Sequence, residues 1–158
     1  MTATATARTA TNFAGLTPAR ATIPIAADTL ILKKTIVCLD GSGNSVPGVD
    51  GEGFAAIGVA TATFDNRTGS EAGGSAGDLE AEIEFGVFGF NYSDSPVVGG
   101  ILYVVDNQTV SSDSDSAQRG VAGVCVEVRG TQAYCLFAPQ SGPLLAVLLA
   151  AIAAAAAA

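Results

Sequence analysis

Apolar positions along the chain come in short runs, separated by clusters of Gly, Asp, Asn and Ser. The clearest pattern lies at 79–85, where Leu79, Ala81, Ile83 and Phe85 alternate with Glu80, Glu82 and Glu84. Successive side chains of a strand point to opposite faces, so this period of two predicts a strand with one core face and one acidic, solvated face. Gly86 and Gly89 then interrupt the alternation within Leu79 to Phe90, which predicts a bulge or a close backbone approach. Thr29 to Leu39 (TLILKKTIVCL) predicts one or two strands closed by the turn Asp40-Gly41-Ser42-Gly43-Asn44. Phe54 to Phe64 (FAAIGVATATF) predicts the next strand, and Asp65 to Asp78 a surface loop. Ile101 to Val105, Val121 to Val128 and Ala133 to Ala138 complete the set, with Ser111 to Gln118 (SSDSDSAQ) as a polar, mobile loop. About six to eight short strands, with no helical pattern between them, predict an all-β domain: a small antiparallel β-barrel or sandwich.

The two ends differ from this middle. Residues 1–21 are rich in Thr and Ala and show neither helical nor strand periodicity, so they are expected to form an extended N-terminal arm, which is either plain terminal disorder or a segment that orders against a neighbouring subunit. The β domain is expected over 22–139. Residues 140–158 form an Ala-rich C-terminal segment, in which Ser141-Gly142-Pro143 precedes LLAVLLAAIAAAAAA. A cap, a Pro near the first turn and repeated Ala predict a helix or tail, about 24 Å long if roughly 16 residues are helical. Its surface is apolar all round and must be buried. The uninterrupted run falls short of the roughly 18 to 20 residues of a membrane span and has no Lys, Arg, Trp or Tyr at its borders, so no membrane partner is expected.

Composition narrows the chemistry. The chain has 158 residues, no His and no Trp, so it supplies neither a Ser-His-Asp nor a Cys-His pair from its own side chains. With 7 basic against 15 acidic residues, a net charge of −8 disfavours direct contact with a nucleic-acid backbone. Cys38, Cys125 and Cys135 are odd in number, lack a Cys-x-x-Cys spacing and sit in apolar runs, which predicts small buried hydrophobes in strands. The sequence MTATATARTATNFAG has no apolar h-region of a secretory signal.

The candidate sites are weak. Asp40-Gly-Ser-Gly-Asn44 and Asp50-Gly-Glu-Gly53 resemble pieces of calcium loops but lack the twelve-residue frame and its bidentate Glu, so turns are expected. Glu80, Glu82 and Glu84 share one solvated face and therefore lack the contrasting environments that acid–base catalysis needs. Gly41-x-Gly43 lacks the third Gly and the helix of a dinucleotide fingerprint. The glycosylation patterns at Asn66, Asn91 and Asn107 carry no meaning without a secretory signal. No residue is assigned a catalytic, cofactor-binding or metal-ligating role, and a non-enzymatic protein is expected.

The order of segments from about Pro24 to Phe137 resembles the head decoration, or cement, proteins of tailed bacteriophages. The likeness rests on TLILKKTIVCLDGSGNSVPGVD, FAAIGVATATFDNRTG, LEAEIEFGVFGFNYS, GGILYVVDNQTVSSD and RGVAGVCVEVRGTQAYCLFA, most tellingly on LYVVDNQTV followed by VAGVCVEV. The resemblance implies a β-rich structural protein on the outer surface of the virion. It implies binding to the major capsid protein and to copies of itself, commonly as a homotrimer, with no active site. The poly-Ala segment departs from the family pattern. The competing expectation is a membrane-associated or adhesive surface β protein anchored by that segment.

Overall fold

A computed structural model describes residues 20–137, and these fold entirely as strands and connecting loops. In chain order the strands are β1 (Arg20–Pro24), β2 (Thr29–Ile31), β3 (Ile36–Leu39), β4 (Ser45–Pro47), β5 (Ala55–Ala60) and β6 (Phe64–Asn66). They continue with β7 (Glu80–Glu84), β8 (Gly86–Tyr92), β9 (Ile101–Val104), β10 (Thr109–Ser111), β11 (Val121–Arg129) and β12 (Gln132–Phe137). Strands β10-β8-β12-β11-β9 close into a barrel, β1-β7-β5-β3-β4 form a five-stranded sheet, and β2 pairs with β6. The all-β expectation holds, with one correction to its topology. Strands β8 and β10 run parallel, because the chain visits β9 between them and returns across it.

The five-stranded sheet curls until its two edges meet. Just beyond β1, Ile25 bridges Ser45 of β4, the Ala26 amide donates to the Ser45 carbonyl at 3.1 Å, and Ser45 Oγ donates to the Pro24 carbonyl at 2.8 Å. Two cores result. One joins Phe88, Phe90, Leu102, Val104, Val110, Cys125, Cys135 and Phe137 of the barrel strands to Ile36, Cys38 and Val59 of the sheet. The other gathers Ile25, Ile31, Val37, Ile57, Ala60, Ala81 and Ile83. Strand β3 sends Ile36 and Cys38 to the first and Val37 to the second, so it is buried on both faces. That is why IVCL is an unbroken apolar run while β7, with a polar side, alternates. In the first core Phe90 meets Phe137 edge-on at 5.6 Å between centroids, and full burial of each ring contributes about 2–3 kcal/mol.

The alternation at 79–85 ends where the chain changes sheets. Strand β7 belongs to the curled sheet and β8 to the barrel, and Gly86 between them takes a φ of 148°, which a side chain rarely adopts. Gly89, expected to interrupt as well, stays inside β8 opposite Tyr134. Other expectations need correction. The run 54–64 is two strands in different sheets, since β5 pairs with β3 and β7 whereas β6 pairs with β2. Among the described residues twelve strands stand where about six to eight were expected, because three-residue strands such as β4 and β10 are too short to show a period. Arg20 and Ala21, assigned by sequence to the arm, are already paired with Glu84 and Ile83 in β1. The rest of the arm and the Ala-rich segment 140–158 lie outside the described residues.

Candidate interaction surface

The three glutamates of β7 do not form the uniform stripe that their spacing predicts. Glu80 is exposed; Glu82 is partly buried and pairs with Arg20 at 3.0 Å; Glu84 is only 5% exposed and pairs with Lys34. Lys34 is aimed there by its backbone: it adopts a left-handed φ of 60° and donates its amide to the Ala60 carbonyl at 2.8 Å. Its Nζ also lies 5.6 Å from the centre of the Phe88 ring, a cation–π contact. The pair therefore ties the loop before β3 to β7 of the sheet and β8 of the barrel. Equivalent positions on a strand face stand about 7 Å apart, and Glu82 and Glu84 each meet a different cation rather than another carboxylate.

The remaining sequence candidates are occupied by local structure. Asp40 Oδ1 accepts from the amides of Ser42 and Asn44 at 2.8 and 2.9 Å. These bonds, the Asn44 amide first, hold its carboxyl below the usual range, which is the signature of an Asx-type turn. Asp50 pairs with Arg119 at 3.3 Å. Asn66 is fully buried and donates its side-chain amide to the carbonyls of Ala26 and Ser75; Asn107 is buried too, whereas Asn91 is exposed. All three thiols are buried as expected. Burial pushes Cys38 up to about 12 and raises Cys125 and Cys135 as well, so they are held as neutral thiols. Among the described residues no three His, Cys, Asp or Glu side chains gather as a metal-ligand set, and no helix is long and apolar enough to cross a membrane.

What spacing does not announce is a set of locked surface loops. Asp94, in the loop after β8, turns Oδ2 toward four donors: Ser111 Oγ at 3.0 Å, Ser112 Oγ at 2.6 Å, and the amides of Ser112 and Asp113 at 2.8 and 3.1 Å. Burial raises this carboxyl, but the bonds from Ser112 and Ser111 outweigh it and leave it below the ordinary range. Arg119 closes the other end, donating to the Asp113 carbonyl at 3.1 Å while it pairs with Asp50. The loop expected to be mobile is thus anchored at both ends, and at its tip Asp115, Ser116 and Ala117 all take left-handed φ angles of 48°, 56° and 68°. Such conformations cost on the order of 1 kcal/mol each for residues with a Cβ, and the two anchors hold them. A second locked region lines a hollow of about 330 Å³ bounded by Asp28, Asp65, Arg67, Thr68, Gly69 and Ser70. There Asp28 accepts the Thr68 amide at 2.8 Å, and hydrogen bonds from Arg67 bring Asp65 down to about 2.

Four large apolar side chains are left exposed among the described residues. Val97 and Val98, in the loop between β8 and β9, are 70% and 61% exposed, and Val126 and Val128 of β11 are 37% and 36%. The loop runs beside β11: the Gly99 amide donates to the Cys125 carbonyl at 2.7 Å, and the Cys125 amide to the Gly100 carbonyl at 2.8 Å. These bonds hold the backbone of the loop against β11. No local signal marks these positions, since single valines in turns and strands are common. No protein-family model, curated protein or solved structure matches the chain.

Proposed function

We propose that the chain is a structural virion protein that binds the outer surface of a phage capsid and stabilises it by bridging neighbouring capsomers. Its partners in this reading are the major capsid protein and further copies of itself, in a homotrimer. The observation that carries the reading is how the domain spends its charged groups. Glu84, Asp94, Asp65 and Asp50 are each committed to partners within the chain that fix loops or join sheets. A stiff, preformed surface loses little conformational freedom on docking, which suits a spacer that holds larger parts together. Each copy adds buried area across a seam that must be lost before a shell opens, and many weak contacts act together.

Two further features support it. The net charge of −8 suits a position outside the shell, away from the packaged genome. Residues 1–19 lead directly into β1, an edge strand anchored along β7, so an arm there starts from a fixed point and adds interface without changing the fold. The test is to separate intact particles from free protein and locate the chain by mass spectrometry. Recovery on particles, with reduced occupancy after deletion of residues 1–19, is expected. Recovery solely in the unassembled fraction refutes the proposal.

A further inference from the structure

We propose that Cys125 and Cys135 form a redox pair that closes into a disulfide across β11 and β12 when the folded protein meets a small-molecule disulfide, while Cys38 stays a thiol. The inference stands independently of the capsid reading. Register places Cys125 and Cys135 directly opposite each other in antiparallel strands, and both side chains enter the first core, so they share one face. Opposed residues in such a ladder alternate between hydrogen-bonded and non-hydrogen-bonded pairs, and the backbone of Cys125 decides which kind this is. Its amide donates to the Gly100 carbonyl at 2.8 Å and its carbonyl accepts from the Gly99 amide at 2.7 Å, so both groups turn to the loop before β9 and away from β12. The pair is therefore of the non-hydrogen-bonded kind, whose Cα atoms stand about 4.5 Å apart. A disulfide accepts Cα separations of about 4.4 to 6.8 Å, so the backbone already lies within reach.

In the reduced state the two sulfurs point apart. Cys125 Sγ donates to the Glu127 carbonyl at 3.5 Å, and Cys135 Sγ fills space left by the missing side chain of Gly123, 2.8 Å from where a Cβ would stand. Gly123 and Glu127 lie on either side of Cys125 along β11, so one rotation about each Cα–Cβ bond brings the sulfurs together. Access comes from the register shift between Cys125 and Glu127, which interrupts the ladder beside the pair and eases local opening there. On opening, the Cys125 thiol, raised less by burial than that of Cys135, loses its proton and attacks one sulfur of the small disulfide, expelling a thiolate and leaving a mixed disulfide. Cys135 then loses its proton and attacks the Cys125 sulfur, expelling the second thiolate. Two protein thiols are oxidised, and the small disulfide is reduced to two thiols that take up the two protons. Cys38 faces Val46 and Ala56 in its own ladders, with no sulfur opposite.

The test incubates the full chain in native buffer with oxidised glutathione, quenches it with acid, and then denatures and alkylates it for intact-mass analysis and peptide mapping. One alkylated cysteine in place of three is expected, with no retained glutathione and a cross-link between Cys125 and Cys135. Cys38→Ala is expected to form the same cross-link and Cys135→Ala to form none. The closed loop runs from Cys125 to Cys135, so loop closure is expected to lower the unfolding equilibrium constant on the order of a hundredfold, read as a rise in the urea midpoint that dithiothreitol reverses. Three alkylated cysteines after incubation overturn the inference, as does a link through Cys38, a link between two copies, or glutathione held on a single cysteine of the parent chain. A urea midpoint that falls or stays unchanged on oxidation overturns it too, because the bond then strains the hairpin instead of fitting it.

Discussion

Replacing Lys34 by Met tests whether the Lys34–Glu84 pair holds the barrel to the sheet. The Glu84 side chain is 7% exposed and that of Lys34 23%, so the two partners differ in what they do once alone. A lone Glu84 has little route to water, and stranding a buried charge costs about 3–5 kcal/mol. A lone Lys34 swings its ammonium toward solvent and keeps part of its contact with Phe88, so Glu84→Leu is expected to cost less, about 1–3 kcal/mol. The double variant Lys34→Met, Glu84→Leu removes both charges and is expected to lie within about 1 kcal/mol of the parent, because desolvation of the pair offsets most of its attraction. Urea unfolding followed by far-ultraviolet circular dichroism gives the three differences, provided one transition describes each variant. Two single losses that simply add in the double variant, or a Lys34→Met loss below about 1 kcal/mol, would falsify the assignment of a coupled buried pair.

Four other outcomes follow from the same geometry. Gly123→Ala places a Cβ against the Leu136 carbonyl and 2.8 Å from Cys135 Sγ, so the β11–β12 contact must open; a loss of about 2 kcal/mol or more in thermal unfolding is expected, and an unchanged midpoint refutes it. Asp94→Ala removes the acceptor of four bonds and is expected to cost about 1–2 kcal/mol and to speed amide hydrogen exchange at Ser112 and Asp113; unchanged exchange there rejects the anchor. Because the folded Asp94 carboxyl lies below its unfolded value of about 3.9, its stabilisation is present above that pH and disappears as pH falls through the lower folded value; Asp94→Ala is expected to lose this acid limb of the stability profile. In the folded protein Cys38, Cys125 and Cys135 are expected to resist maleimide at pH 7 and to react after denaturation; modification of a native thiol at the rate of a free cysteine contradicts their burial.

The sequence by itself determined the class of the fold and the character of several strands. Alternation at 79–85 marked β7 because its two faces meet different surroundings, and the unbroken run around Ile36 to Leu39 marked a strand because both of its faces are buried. Asp40-Gly41-Ser42-Gly43-Asn44 is a turn for reasons contained within its own residues, since its carboxylate bonds amides two and four positions on. The three apolar cysteines were legible on the same local grounds. Tertiary structure alone decided which strands share a sheet, that β8 and β10 run parallel, and that one glutamate of three is buried. Glu80, Glu82 and Glu84 look alike along the chain, and they differ because Lys34, fifty positions from Glu84, arrives over one of them. Asp94 and Ser111 are likewise seventeen positions apart, with nothing in either segment to announce the other. Local patterns fix how one residue's backbone and faces behave; pairing between distant segments depends on the summed burial of both cores, which no single window of sequence contains.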